Sequence, residues 1–594
     1  MKGESIMSRD NIYLTLTPQG KSLNLNIDPG ISLRKVERAL CSREVEITDV
    51  IRLNRQIVIP FNEIHKIRDA LENWNLNIDD RVTSKTQLLQ TKEIQRVSSQ
   101  KIIEQISLEE NVDKLLTDFP ERAHLDKHQI QAVAAASHPE VLGLCIFDEQ
   151  GLGKTVMTLF SFHRLRQNDL VNKMIVITPK NVVFEWIKDN EHFFGKQYKC
   201  IAVLGSLNEK REKLNTNADI YVTNFETSVS LNYRLRQLLE SGGKNSLLVV
   251  DESFFVKNPG AKRTQAIKKL RASAGRCIVL CGTPAPNSPL DIVEQFNIAD
   301  QDTAFRGIGF PDNVTEARRE ISQVIRDRGV YIRRLKQKVL PELPNKTFHR
   351  VLLKLQPEQE TAYITALRGL INDLRAVDDI VFKKRITSFM AKRFALLQIC
   401  TTPDSVIEPY NETPAKIVAL DSILEELIGN RNEKVLVWSY FTNSIDKIYE
   451  RYNRYNPVRL DGQVTNISER RGIIERFQND EETMLFVANP AAAGAGITLH
   501  RARYAVYESL PVQSAHYYQS LDRIHRRGQD RDVEYLILLC ERTIEENYYT
   551  TFEQKERSSR ELLGDVDPNN ITRSTLLAEL EEAAELIGLE GVER

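Results

Sequence analysis

Long apolar runs are absent from this chain of 594 residues, and their absence excludes an integral membrane protein. Cysteine is scarce. The seven thiols are scattered, odd in number and without CxxC spacing, so reduced thiols in a cytosolic or nuclear compartment fit best. The chain also has no excess of one charge, since it contains 81 Lys and Arg residues and 82 Asp and Glu residues. This balance argues neither for nor against nucleic-acid binding. The first residues, MKGESIMSRDN, lack an apolar core, which predicts no secretory signal.

The composition that is present, 41% hydrophobic and 27% charged, is typical of a globular chain whose length requires several domains. Short apolar runs rich in Val and Ile recur, each followed by a helix-like stretch, which predicts buried parallel strands with crossover helices. The runs occupy residues 142–147, 173–179, 219–224, 247–252 and 277–284, then 434–440, 484–490, 504–509 and 533–539. A mostly helical stretch separates the two sets. The predicted fold class is therefore α/β, with two parallel-sheet lobes and a helical insertion between them.

The ends of the chain differ from these lobes. Alternating apolar residues on both sides of a Pro-Gln-Gly turn at 18–20 predict a β-hairpin in a small N-terminal α+β module, for which a docking or scaffold role is favoured. The acidic C-terminal stretch predicts an amphipathic helix that is either solvated or docks a protein partner. The predicted domains are residues 1–80 (accessory module), 81–116 (helical linker), 117–345 (first lobe), 346–410 (helical insertion), 411–560 (second lobe) and 561–594 (acidic helix).

The strongest local motif is DEQGLGKT at residues 148–155, directly after a predicted strand. A glycine-containing turn there lets backbone N–H groups face a phosphate, and the following helix adds its positive N-terminal end. Lys154 would reach the β- and γ-phosphates, and Thr155 would supply a hydroxyl to Mg²⁺. Asp148 stands where GxxxxGKT has its first glycine, so the motif is incomplete by itself and a plain strand-to-helix turn remains the alternative.

Two further pairs of charged residues suit nucleotide chemistry. Asp251 and Glu252 end a predicted parallel strand, where Asp251 would hold Mg²⁺ through water and Glu252 would orient or deprotonate an attacking water. Arg523 and Arg526 are three residues apart, so they share a helical face and could act as arginine fingers if the second lobe closes on the first. The alternatives are an ordinary acidic pair at a loop start and a basic solvated helix.

Together, these motifs resemble, in order and spacing, the Swi/Snf-type family of DNA-dependent ATPases within the superfamily-two helicases. The resemblance runs from about residue 120 to 550 and says nothing about residues 1–115. Further segments that carry it are HQIQAV at 128–133, ITPKNVVFEW at 177–186, VTNFET at 222–227, CGTPAPNSPLD at 281–291, IRRLKQKVLPELPNK at 332–346, LLQICTTP at 396–403, AAAGAGITL at 491–499 and QSLDRIHRRGQ at 519–529.

The resemblance implies two RecA-like lobes that bind ATP and Mg²⁺ between them and move the protein along double-stranded DNA without conventional strand separation. The nucleotide-binding residues it implies are Gln129, Asp148, Gly151, Gly153, Lys154, Thr155 and Gly496, and the metal-binding residues are Thr155 and Asp251. The catalytic residues it implies are Lys154, Asp251, Glu252, Arg523 and Arg526. We expect a cytoplasmic, nucleoid-associated protein in a prokaryote or phage and a nuclear one in a eukaryote, with no membrane partner.

One departure leaves alternatives open. Phe254 stands where the family's acidic box has His or Gln, and phenylalanine cannot form the hydrogen bond that links the nucleotide to the coupling motif at 282–284. A non-hydrolysing DNA-binding scaffold therefore remains an alternative, as do a strand-separating helicase, a restriction or defence motor, and an RNA remodeller. The layout hints at the annealing-helicase branch of the family. Basic clusters at 261–276, 333–338 and 383–393 suit DNA phosphate contacts or solvated helix faces.

Overall fold

The computed structural model describes residues 11–18, 20, 22–241, 245–284, 289–311, 313–492, 497–550 and 573–586. Within these ranges lie three β-sheets, one in each of three successive parts of the chain. The connection between the first two sheets contains one long helix, and a helical insertion lies in sequence between the first strand of the third sheet and its other strands. No helix in these ranges combines the length and the apolar character that crossing a bilayer requires.

The N-terminal sheet has the strand order β3-β4-β2-β1-β5. Its strands are β1 Asn11–Leu16, β2 Ser22–Ile27, β3 Asp49–Ile51, β4 Gln56–Pro60 and β5 Asn75–Ile78, and its helices are α1 Leu33–Ser42 and α2 Ile64–Ala70. The predicted hairpin is confirmed, because β1 and β2 pair antiparallel with Ile12 opposite Ile27. Alternation along these strands places Ile12, Leu14, Leu23 and Leu25 in a core of the module's own.

The linker is one continuous helix, α3 Asp80–Leu108, which Asp79 caps by accepting a hydrogen bond from the Arg81 backbone N–H. Arg96, in the middle of this helix, is buried and donates to the carbonyl oxygen of Arg328 in the first lobe at 2.8 Å. The helix is therefore packed against the first lobe rather than extended through solvent.

The first lobe is a seven-stranded parallel sheet with the order β12-β6-β11-β10-β7-β9-β8. Its strands are β6 Gly143–Ile146, β7 Lys173–Thr178, β8 Cys200–Ala202, β9 Ile220–Asn224, β10 Ser246–Val250, β11 Arg276–Leu280 and β12 Tyr331–Ile332. Its helices are α4 Lys127–Ala136, α5 Lys154–Gln167, α6 Val183–Phe194, α7 Leu207–Asn215, α8 Phe225–Ser230, α9 Asn232–Ser241, α10 Lys262–Ser273, α11 Val293–Asp300, α12 Val314–Arg328 and α13 Lys336–Val339. Because β11 lies between β6 and β10 and all three strands are parallel, the segments that follow them lie close together at the carboxyl ends of the strands.

The second lobe is a six-stranded parallel sheet with the order β13-β18-β17-β14-β16-β15. Its strands are β13 Lys346–Leu353, β14 Val435–Trp438, β15 Val458–Leu460, β16 Leu485–Ala488, β17 Tyr504–Tyr507 and β18 Val533–Cys540. Its helices are α16 Ala415–Leu424, α17 Thr442–Arg451, α18 Ile467–Asn479 and α19 Ser514–Leu521. The all-parallel sheets confirm the predicted α/β class with two lobes.

The structure differs from the predicted boundary at residue 346. Residues 346–353 form β13, which pairs along its whole length with β18 and belongs to the second-lobe sheet rather than to the insertion. This strand lies at the sheet edge and its residues are largely exposed, so its sequence has no continuous apolar run that would mark it as a buried strand.

The insertion itself consists of α14 Pro357–Arg375 and α15 Asp379–Thr401. The acidic C-terminal helix, α20 Arg573–Leu586, packs against both and buries Leu576 and Leu580. Its carboxylates pair with the insertion, Glu581 with Arg375 at 2.6 Å and Glu579 with Arg393 at 2.5 Å. The apolar side of this helix is therefore used within the chain.

Candidate nucleotide site between the two lobes

The loop between β6 and α5 has the backbone shape of a phosphate cradle. Gly151 and Gly153 adopt φ angles of +85° and +83°, a left-handed conformation that L side chains rarely tolerate. Lys154 begins α5, and its buried amine donates to the carbonyl oxygens of Asp148 at 2.9 Å and Glu149 at 3.3 Å. The amine is thus held against the loop, with Thr155 beside it in the first helical turn.

Asp148 takes part in this loop through its backbone, because its carboxylate is already engaged. Arg334 donates to both carboxylate oxygens, from Nε at 3.1 Å and from Nη2 at 2.6 Å, and Asp148 is 0% exposed. The predicted basic segment at 333–338 therefore supports the loop between β6 and α5 (residues 147–153), here called the nucleotide loop. A buried carboxylate needs a partner, and no cation lies next to Asp148 in the sequence, so its partner must come from elsewhere in the chain. The sequence alone does not identify that partner.

Gln129 braces the same loop from α4. Its Nε2 donates to the carbonyl oxygen of Leu152 at 3.2 Å, and its Oε1 accepts from the backbone N–H of Asp126 at 3.0 Å. A Cβ at Gly153 would lie 2.4 Å from this Nε2, so glycine is needed there for packing as well as for its φ angle.

Asp251 and Glu252 follow β10, at the same end of the sheet as the loop after β6. Asp251 Oδ2 accepts from Thr178 Oγ1 at 2.9 Å and from Trp186 Nε1 at 3.1 Å, while Oδ1 accepts from the backbone N–H of Glu252 at 2.9 Å. Burial raises the pKa of Asp251, and these three donors act against that rise. Thr178 and Trp186 orient Asp251, a role that sequence spacing alone does not reveal.

Glu252 is buried beside Asp251 and has one oxygen held and one oxygen open. Gln150 Nε2 donates to Oε1 at 3.0 Å, whereas Oε2 has no hydrogen-bond partner within the described ranges. Desolvation and the adjacent Asp251 raise the pKa of Glu252 to about 7, a value suited to a general base. Glu252 has a φ angle of +49°, a left-handed backbone conformation that is sterically strained for a residue with a Cβ.

The second lobe places its two arginines at this site. Arg526 Nη1 donates to Thr498 Oγ1 at 3.1 Å, and its Cγ lies 3.8 Å from the position of a Cβ at Gly151. Arg523 is also buried and donates to the carbonyl oxygen of Ile497 at 3.1 Å. Arg526 therefore faces the loop between β6 and α5 across the junction of the lobes, and Arg523 lies within electrostatic reach of Glu252. Gly496, predicted to bind nucleotide, lies outside the described residues.

Lys336 connects the lobes beside this junction. Its Nζ donates to Asp522 Oδ1 at 2.7 Å and to the carbonyl oxygen of His525 at 3.2 Å, and its backbone N–H donates to Glu149 Oε2 at 2.6 Å. Burial lowers the pKa of Lys336 to about 8. Together with Arg334, this residue was missed as a site residue because its partners lie far away in sequence.

The other basic segments divide between structural and exposed positions. Arg271 and Arg276 are buried and donate to backbone carbonyls, including those of Leu142 and Val141, so they stabilise the first lobe. Lys392 and Arg393 pair with carboxylates. The exposed cations of the 383–393 segment are Lys383, Lys384, Arg385 and Lys392, of which Lys392 pairs with Asp373.

The arrangement fits a nucleoside triphosphate with a divalent cation. A glycine loop at a helix N-terminus, a lysine and two arginines supply hydrogen-bond donors for phosphate oxygens. One buried carboxylate oxygen of Glu252 has no hydrogen-bond donor within the described ranges. The carboxylate of Asp251 and the hydroxyl of Thr155 carry the kind of oxygen atom that Mg²⁺ prefers and would be its ligands if the ion binds here.

Two RecA-like lobes with a glycine loop on one and arginines on the other define the class of helicase-like nucleotide-driven proteins. Residues 70–405 match the SNF2-related domain, and residues 416–528 match the helicase conserved C-terminal domain. The chain belongs to the SNF2-related family, as the motif order predicted.

Named relatives extend this comparison. An uncharacterized ATP-dependent helicase of Mycoplasma pneumoniae is 27% identical over 72% of this chain and 41% of its own length. A second one, from Mycoplasma genitalium, is 25% identical over 76% and 44%. The chain thus spans less than half the length of these relatives. The solved SWI2/SNF2 ATPase core of Sulfolobus solfataricus in complex with dsDNA is 23% identical, with a TM-score of 0.34 over 78% of this chain and 97% of that chain.

Proposed function

We propose that this protein hydrolyses ATP in the junction between its lobes and uses the energy to move along double-stranded DNA without separating the strands. The observation that carries the proposal is the approach of Arg526 from the second lobe to Gly151 in the nucleotide loop of the first. A site divided between two lobes is rebuilt or broken whenever the lobes move, so hydrolysis and lobe movement are coupled.

In this reaction Glu252 accepts a proton from a water molecule whose oxygen forms a bond to the γ-phosphorus. The bond between that phosphorus and the bridging oxygen to the β-phosphate breaks, and ADP and phosphate leave. Lys154, Arg523 and Arg526 place positive charge around the transferring group, where charge stabilisation is the main source of catalysis. When bound, Mg²⁺ neutralises phosphate charge, and Asp251 and Thr155 would hold it.

A basic cleft between the lobes is the proposed DNA contact. It has a volume of about 830 Å³, and its charged lining consists of four cations, Lys180, Lys188, Arg470 and Arg471, and two carboxylates, Glu185 and Glu475. Thr498 lines the same cleft and binds Arg526, so one residue connects this surface to the finger arginine. Contacts from cations to phosphate oxygens give affinity without sequence preference, as movement along any sequence requires.

The pairing of the β-strands favours movement along DNA without separation of the DNA strands over unwinding. Among the pairings of the described residues, the antiparallel ones all lie in the N-terminal sheet, and both lobes are built from parallel pairs alone. Neither lobe therefore presents, in these ranges, a hairpin that could wedge a duplex apart.

The hydrolysis step is tested by a DNA-stimulated ATPase assay. Lys154→Ala and Glu252→Gln should each abolish stimulated turnover. Lys196→Ala changes an exposed lysine just after the C-terminal end of α6 and should match the wild type. Unchanged stimulated turnover in both site variants would remove the proposal. RNA that stimulates more than duplex DNA would favour the RNA remodeller instead.

The movement is tested by two substrates side by side. We expect displacement of a third strand from a DNA triplex and no unwinding of a forked duplex, whereas fork unwinding would identify a strand-separating helicase. For the cleft, Lys180→Ala/Lys188→Ala/Arg471→Ala should weaken DNA binding and lower its salt dependence by roughly one unit of slope per lost phosphate contact. Arg34→Ala/Lys35→Ala on the N-terminal module is the matched control.

A further inference from the structure

Gln150 lies where three segments of the first lobe meet. It directly precedes Gly151 in the nucleotide loop, and its Nε2 donates to Glu252 Oε1 at 3.0 Å. The same side chain covers Gly282, because a Cβ at residue 282 would lie 2.6 Å from both Cδ and Nε2 of Gln150. Separations under 3.0 Å are not tolerated between such atoms, so Gly282 is the residue that leaves room for the Gln150 amide.

Glu252 requires such support because its backbone is strained and its carboxylate is only half engaged. Glu252 is a non-glycine residue in the left-handed region, a conformation that persists only when the surrounding structure holds it in place. Gln150 binds Oε1, whereas the buried Oε2 has no hydrogen-bond partner within the described residues. Phe254 cannot replace this hydrogen bond, since its ring has no polar atom and stacks on Phe255 at 4.5 Å.

The Gly282 segment also reaches the second lobe. Gly282, Thr283 and Gln150 line one cleft of about 620 Å³ together with Asp522 and His525 of the second lobe. Residues 282–283 therefore connect the junction of the lobes to the Gln150 amide, which in turn holds Glu252.

We infer that Gln150 is a positioning residue for hydrolysis, whose amide fixes the Glu252 carboxylate and links it to the 282–283 segment at the junction of the lobes. The inference rests on the proposed function, since it takes Glu252 as the group that acts on the attacking water. Because the Gln150 amide bonds to Glu252 and lies over Gly282, replacing Gln150 should lower kcat rather than raise the KM for ATP.

The first experiment compares Gln150→Met and Gln150→Ala in DNA-stimulated ATP hydrolysis by the full chain. Methionine keeps the length of the side chain but has no donor. We expect both variants to lower kcat on the order of 10- to 100-fold, the usual effect of a misplaced catalytic group, with the KM for ATP within threefold of wild type. Gln167→Ala is the matched control, because Gln167 donates to the Glu121 carboxylate from the far end of α5.

The second experiment tests the contact with Gly282. Gly282→Ala should lower kcat like Gln150→Ala, because its methyl group displaces the amide. In the Gln150→Ala background this methyl group meets no amide, so Gly282→Ala should add less than threefold further loss. Coupling of this kind between touching residues is what a double-mutant cycle measures.

The outcomes separate the inference from the proposed function. A wild type without stimulated ATPase activity overturns the proposed function. A wild type that is active, with Gln150→Met within twofold of it, overturns the inference and leaves the function standing. Losses in Gln150→Ala and Gly282→Ala that multiply in the double variant also overturn the inference. Unfolding midpoints equal to that of wild type show that each loss of activity is not a loss of fold.

Discussion

Replacing Arg526 by alanine should stop hydrolysis while leaving ATP binding and the fold intact. Arg526 is held by Thr498 beside the nucleotide loop, and its Nε has no acceptor within the described residues. Burying a cation with incomplete pairing costs stability, so its removal should not destabilise the fold. We therefore expect this arginine to act on the bound nucleotide rather than to support the protein core.

The magnitude follows from the position of this charge. A finger arginine that reaches a transferring phosphoryl group is worth about 10³- to 10⁵-fold in kcat, or about 4–7 kcal/mol. Arg526→Lys keeps the charge but loses the planar donor fork, so we expect an intermediate loss. Affinity for ATP, measured with a fluorescent analogue, should change less than about fivefold because Lys154 and the loop remain.

The adjacent Arg527 provides the control. Its side chain is 61% exposed and pairs with Asp126. Exposed ion pairs contribute at most about 1 kcal/mol, so Arg527→Ala should stay within a few-fold of wild-type turnover. The assay is steady-state phosphate release with saturating duplex DNA. An Arg526→Ala protein that is folded, binds ATP and keeps more than a tenth of wild-type turnover would refute the assignment.

Three further outcomes are expected. Arg334→Ala should lower the free energy of unfolding in urea by about 3–5 kcal/mol, because it leaves the fully buried Asp148 carboxylate without its cation, and a loss below 1 kcal/mol would contradict this. His525 is buried and neutral, with its pKa lowered to about 4 by desolvation and by nearby Lys346, so stability should be full above pH 6.5 and fall by up to about 3 kcal/mol toward pH 4. His525→Gln should flatten that profile, and an unchanged pH dependence would remove His525 as its cause. Glu579→Gln should speed amide exchange in α20, since Arg393 loses a charged partner, whereas unaltered exchange would show that apolar packing alone docks this helix.

Much of the fold could be predicted from the sequence because its signals are local. The apolar runs became β6, β7, β9, β10 and β11 in the first lobe and β14, β16, β17 and β18 in the second, since strands buried on both faces need continuous apolar residues. Exposed β13 and the short β8, β12 and β15 lack that signal. The nucleotide loop, the Asp251–Glu252 pair and the spacing of Arg523 and Arg526 are likewise patterns within a few residues.

Tertiary structure alone decided which charges serve the site and which serve the fold. Arg334 reaches Asp148 across 186 positions of sequence, Lys336 reaches Asp522 across another 186, and both come from a segment whose composition suited DNA phosphates equally well. Gln150 and Gly282 similarly meet because β6 and β11 are neighbours in the sheet. Local sequence determines where apolar segments, turns and charged residues lie. The partner of a buried polar group depends on strand order and on the contact between the lobes, which arise only when the whole chain has packed.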